Sequence, residues 1–116
     1  MPITLSTLNK SRAQTVFNQI ANHLLTQGEK SSYGTQCYYH DGTGKMCAAG
    51  CLISKKEYDF KFEDNNWDQL IKKKYVSDKH RDMIVALQNI HDGKNAKYWR
   101  KELIELAERL KLKVNF

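Results

Sequence analysis

Cys37, Cys47 and Cys51 stand close together in the chain, and His23, His40 and His91 offer imidazoles that could work with them. The first chemistry this suggests is a thiol nucleophile. Cys47 and Cys51 fall between an expected strand and an expected helix start, where backbone N–H groups and the helix dipole can stabilise a thiolate or an oxyanion. A general base would come from His91, followed by Asp92, or from His23. The candidate catalytic set is therefore Cys47, Cys51, His91, Asp92 and His23, and its product would be a cysteine/histidine-dependent hydrolase or transferase. Each histidine also has a plainer reading. His91 shares a helical side with Ile84 and Leu87, as a core histidine would. His23 and Gln27, one turn apart, flank an apolar helix face and can hydrogen-bond the neighbouring hairpin. No third member of a triad is set by spacing, so the structural role is the favoured one.

The second chemistry is zinc binding by Cys37, Cys47, Cys51 and His40. The ligand types suit zinc, but structural sites pair cysteines two to four residues apart, and only Cys47 and Cys51 do so. Strand alternation would also send Cys37 and His40 to opposite faces. No metal and no cofactor is expected. An odd number of cysteines in a small chain argues for free, buried thiols in a reducing compartment.

The third is recognition. Nineteen Lys and Arg against thirteen Asp and Glu leave a net charge of +6, which suits an anionic partner. Tyr33, Tyr38, Tyr39, Trp67, Tyr75, Tyr98 and Trp99 lie among these basic residues and could stack on bases or fill an interface. The candidate binding residues are Gln27, Tyr39, Lys72, Lys73, Lys74, Trp99 and Arg100. The lysine run also reads as a solvated helix face.

The elements that must position these groups can be read from periodicity. Ser11 to Gln14 has the form of a capping box, and Ala13, Val16, Phe17, Ile20, Ala21 and Leu24 follow on one face, with Gly28 as the stop. Residues 35–40 and 45–48 predict a β-hairpin around Asp41-Gly42-Thr43-Gly44. Ser54 to Glu57 repeats the capping pattern. Asn66 opens a short helix, and Ser77 opens another with Met83, Ile84, Leu87 and Ile90 inward. Asn95 opens the last, with Trp99, Leu103, Leu106, Ala107 and Leu110 on its face. Alternation through Leu110, Leu112, Val114 and Phe116 predicts a third strand. The expected fold is a single α+β domain over residues 1–116, four to five helices packed on a small antiparallel hairpin. With 116 residues, 41% of them hydrophobic, the chain can bury a core without staples. It has no apolar stretch near the roughly 20 residues that span a bilayer. Its N-terminus lacks the basic flank and apolar core of a signal peptide. A cytoplasmic protein is expected.

The motifs together carry a resemblance. Ala21 to Gln27, Cys37-Tyr38-Tyr39, Gly44 to Ile53, Tyr58-Asp59, Leu87 to Asp92 and Trp99 occur in an order that resembles a family of small uncharacterised proteins of tailed phages and prophages. The likeness spans about residues 13 to 110 and is most specific in Lys45-Met46-Cys47-Ala48-Ala49-Gly50-Cys51-Leu52-Ile53. Ser54 departs from it, where proline would be expected. The resemblance implies a genomic setting rather than a reaction: an accessory protein of the host cytoplasm that binds a host protein and inhibits a defence factor. A nucleic-acid or nucleotide-binding module is the alternative, and no membrane partner is expected.

Overall fold

The first helix of the computed structural model, α1 (Leu5–Leu8), is a single turn whose free N–H groups find a distant acceptor. The structure describes residues 2–33 and 36–116. One helical turn cannot hold itself in water. Here the Leu5 and Ser6 N–H groups donate to the Glu57 carboxylate at 3.0 and 2.9 Å. Glu57 is in turn set by the expected Ser54–Glu57 box, with Ser54 N–H donating to Glu57 and Glu57 N–H to the Ser54 hydroxyl. One carboxylate thus ties the N-terminus to the segment following the cysteines.

Helix α2 (Ala13–Gln27) buries Val16, Phe17, Ile20, Ala21 and Leu24, the face that the periodicity marks out. Gly28 ends it in the left-handed region at φ 69°, a conformation that only glycine takes without strain. Its start differs from expectation. Ser11 does not cap it; the Ser11 hydroxyl donates to the Thr7 carbonyl, and Arg12 stands at the cap position.

Helices α3 (Trp67–Lys72), α4 (Arg81–Gly93) and α5 (Trp99–Leu110) follow. Asn66 caps α3 as expected, exchanging hydrogen bonds with Gln69. Helix α4 begins later than Ser77, because the Ser77 hydroxyl is taken by the Lys79 N–H in a local turn and His80 enters the left-handed region. Asn95 caps a 3-10 turn, Ala96–Tyr98, that runs directly into α5. Met83, Ile84, Leu87 and Ile90 of α4 are buried, as are Trp99, Leu103, Leu106 and Ala107 of α5. Helices α2, α4 and α5 pack pairwise around this core.

The α+β expectation is corrected: helix takes 55% of the structure and strand 4%. The expected hairpin does not form a sheet. Gln36–Cys37 pairs backward with Ser32–Tyr33 over two residues each, and residues 45–48 make one isolated bridge, between His40 and Met46. The physical reason lies downstream of that bridge. From Cys47 onward the backbone closes on itself: Cys51 N–H donates to the Cys47 carbonyl and Ile53 N–H to the Gly50 carbonyl. Ala49–Leu52 is therefore a 3-10 turn packed against α2 and α4, and its N–H groups cannot extend a ladder. The small side chains of Ala48, Ala49 and Gly50 permit that tight coil. Thr35, at the head of the expected first strand, and Gly34 before it lie outside the described residues.

No C-terminal strand forms either. Lys111 turns the chain at φ 57°, and the Gln14 side-chain amide of α2 captures Lys113, accepting its N–H at 2.8 Å and donating to its carbonyl at 3.0 Å. Phe116 then lies 6.5 Å from Phe17, ring centre to ring centre. The alternation of the tail marks packing on a helix rather than pairing with a strand. Among the described residues, no helix is long and apolar enough to cross a membrane.

Candidate functional site

Residues 29–58 carry the candidates Cys37, Tyr39, His40, Cys47 and Cys51, and three imidazoles, those of His23, His40 and His91, pin this segment. His23 and Gln27 project from α2 onto one peptide. His23 Nε2–H donates to the Met46 carbonyl at 2.8 Å; Gln27 donates to the same oxygen at 2.9 Å and accepts the Met46 N–H at 2.9 Å. The carbonyl fixes the His23 tautomer, since only a protonated Nε2 can donate to it. Burial lowers the His23 pKa from 6.5, against the opposing pull of the Met46 carbonyl. The unfolded chain therefore binds more protons than the folded one below about pH 6.5, and stability falls as pH drops through that value. His23→Ala should remove this acid sensitivity and lower the melting temperature modestly, by about 1 kcal/mol of lost hydrogen bonding, because Gln27 still satisfies Met46. Thermal melts from pH 5 to 8 would check it.

His91 is wholly buried and has the opposite role at its ring nitrogens. Nε2 accepts the Ser31 N–H at 3.0 Å, so Nδ1 carries the hydrogen and donates to Asp92 at 2.7 Å. The ring lies 5.5 Å from that of Trp99, nearly parallel. His23 and His91 thus reach the same loop from α2 and α4, but at different residues. The Ser31 hydroxyl, donating to the Lys45 carbonyl at 3.2 Å, ties the two contacts together.

Cys37 is brought beside this pair, a juxtaposition that spacing did not reveal. Donor atoms of Cys37, His91 and Asp92 lie within 4.8 Å of one another. A metal-bound imidazole donates its remote N–H to an acceptor. The remote nitrogen here accepts a hydrogen instead, so the cluster does not fit a divalent cation. It does not fit a thiol–imidazole pair either, because the His91 nitrogen lone pair is already taken by Ser31. Burial, then the Asp92 charge, pushes the Cys37 thiol up to about 11. Cys37, Asp92, Gln88 and Trp67 line a small pocket of about 120 Å³. The indole N–H of Trp67, nearly buried, has no hydrogen-bond acceptor.

Cys47 and Cys51 lie in the coil after the bridge. Cys47 accepts the Gly50 N–H at 3.3 Å, and the Cys51 thiol donates to the Ala48 carbonyl at 3.2 Å. Burial pushes the Cys47 thiol up strongly and that of Cys51 to about 12. His40 stacks on Tyr58 at 4.5 Å and donates through Nε2 to the Gly50 carbonyl at 3.0 Å. None of the three thiols takes part in a disulfide. No protein-family model matches the chain, and neither does any curated protein or solved structure. The likeness to phage proteins accordingly rests on the motifs quoted above.

Glu63 is the residue that sequence reasoning missed. Its carboxylate accepts the Tyr39 and His40 N–H groups at 2.9 and 3.1 Å and the Tyr58 hydroxyl at 2.5 Å. It sits in a 3-10 turn, Phe60–Asp64, where no periodicity marks an inward position. Tyr39 is buried, its hydroxyl on the Asn65 carbonyl. Trp99, an expected binding residue, is instead core, with its N–H on the Lys94 carbonyl. Arg100 covers the Phe116 ring at 5.4 Å. Lys72, Lys73 and Lys74 are exposed at the C-terminus of α3, where cations suit the helix dipole, and Lys73 donates to Asn65.

The loop so pinned walls off a concavity. A groove of about 660 Å³ runs between the N-terminal segment, the turn Gly42 to Met46 and the stretch Cys51 to Lys55. A shallower groove of about 580 Å³ continues past the same turn to His23 and Gln27. His40 and Cys51 both line the larger groove, yet each directs its hydrogen to a backbone carbonyl.

Proposed function

We propose that this chain acts by binding, as an accessory protein of the phage type that inhibits a host defence factor by occupying it or by sequestering its signal. The observation that carries the reading is the use made of the reactive side chains. His23, His40 and His80 each donate to a backbone carbonyl from a distant part of the chain, and His91 accepts a backbone N–H. The thiols are held protonated by burial. A nucleophile needs a free base and a lowered pKa. Groups arranged this way build a loop, and the loop shapes a groove within the size range of ligand sites.

The turn at the centre of the groove is rigid without being part of the core. Asp41 accepts the Thr43 N–H, the Thr43 hydroxyl and the Lys45 N–H, while the Thr43 side chain is exposed. Thr43→Trp therefore fills the groove at small structural cost, one exposed hydroxyl bond of about 0.5–1.5 kcal/mol. The tagged protein and this variant would be purified from host cells, with mass spectrometry of protein and small-molecule fractions. Retention of the dominant wild-type partner should drop at least tenfold in Thr43→Trp, equivalent to about 1.4 kcal/mol. Equal retention by both proteins would refute the groove as the binding surface.

A further inference from the structure

We propose that the larger groove takes an organic anion, a hydrocarbon body ending in a carboxylate or a phosphate monoester. This rests on the binding reading above and names the ligand class for the same groove. The floor is apolar: Ile3 is 6% exposed and Ile53 2%, and Met46 and Cys51 complete it. The Cys51 sulfur is neutral there, its hydrogen on the Ala48 carbonyl. Such a floor solvates a hydrocarbon and not a charge.

The rim selects the sign of the head group. Lys45 and Lys55 line the groove, and no Asp or Glu does. Lys55 is exposed and makes no ion pair among the described residues, whereas Lys45 is paired with Glu29. The carboxylates nearest in the chain are already taken: Asp41 accepts three hydrogens inside its own turn, and Glu57 accepts the N–H groups of Leu5, Ser6 and Ser54. An entering anion therefore meets the unpaired Lys55 ammonium on the rim, while the nearby Asp41 and Glu57 carboxylates, though charged, hold N–H and O–H groups of the protein itself. A cationic head would be repelled by Lys55, and a neutral one would gain nothing from its charge.

The test uses the whole chain labelled with nitrogen-15, titrated with hexanoate, octanoate and octyl phosphate. Octanol, octylamine and adenosine monophosphate serve as contrasts. Amide shifts at Gly44, Met46, Ile53 and Lys55 should move saturably with the alkyl anions. Each added methylene should tighten binding about fourfold, the ratio expected for burying one CH₂. The ratio of octanoate to octyl phosphate tells which head group is preferred. Lys55→Glu should weaken octanoate about tenfold and leave octanol unchanged. Octanol or octylamine binding as tightly as octanoate would overturn the charge selection. Adenosine monophosphate binding where octanoate does not would overturn the hydrocarbon body. No saturable shift with any alkyl anion would overturn the ligand class altogether. If that happens while Thr43→Trp still loses the cellular partner, the binding reading stands without this ligand. If Thr43→Trp loses nothing, the groove itself has failed as the binding surface.

Discussion

Gly50→Ala should unfold the protein or lower its melting temperature by more than about 10 °C, using the roughly 4–8 °C per kcal/mol of a small domain. A β-carbon at Gly50 would stand 2.0 Å from the Tyr39 carbonyl oxygen and 2.8 Å from its carbon. The obstruction is backbone, not the end of a flexible side chain. That backbone cannot retreat easily, because the Tyr39 carbonyl accepts the Cys47 N–H and the Tyr39 N–H donates to Glu63. Overpacking usually costs about 1–3 kcal/mol, and a clash this short with fixed backbone belongs at or above the top of that range. Gly93 provides the contrast. Nothing lies within 4 Å of a β-carbon there and its φ is ordinary, so Gly93→Ala should be neutral or stabilise by up to about 1 kcal/mol. Paired thermal melts decide it; similar melting temperatures for the two variants would contradict the close approach.

His91→Ala should cost about 3–5 kcal/mol. Truncation removes a wholly buried ring stacked on Trp99 and opens a cavity, which alone costs a few kcal/mol in a core. It also strands the Ser31 N–H, on a residue with no exposure, and an unpartnered buried donor costs about 1–3 kcal/mol. His91→Phe separates the two effects. It keeps the stack, so its loss should reflect the Ser31 bond and fall near the smaller figure. Urea unfolding of the three proteins measures both. If His91→Phe proved as stable as the wild type, the Ser31 bond would have no structural weight.

The helices were legible because each repeats an apolar face many times. The buried faces of α2, α4 and α5 follow their sequence periodicity, except that Leu110, expected on the α5 face, is exposed at the helix end; the Asn66, Asn95 and Gly28 boundaries hold. The hairpin was not legible. Val-poor, glycine-containing residues 45–53 have strand-like neighbours, yet their hydrogen bonds close locally. That outcome depends on Gly50 fitting under Tyr39, a contact across the fold that no local pattern encodes. The C-terminal alternation misled for a related reason: period two marks a surface buried on one side, and here the cover is Gln14 and Phe17 of α2. At the site, His23 and Gln27 were expected on a hairpin; they hydrogen-bond the Met46 peptide, but in a loop rather than a strand. The Cys37–His91–Asp92 cluster and the Glu63 carboxylate could not be placed, since both are assembled by residues far apart in sequence and outside any repeat.

In the binding reading proposed above, the imidazoles hold the loop and the groove does the binding. Melting temperature and partner retention, scored together per folded molecule for His23→Ala, His91→Ala and Thr43→Trp, separate these roles. Lower melting temperatures with retention intact are expected for the two histidine variants. Lost retention with a nearly unchanged melt is expected for Thr43→Trp. Histidine variants that melt like the wild type but lose binding or turnover would contradict that reading, and would return His23 and His91 to the reacting centre.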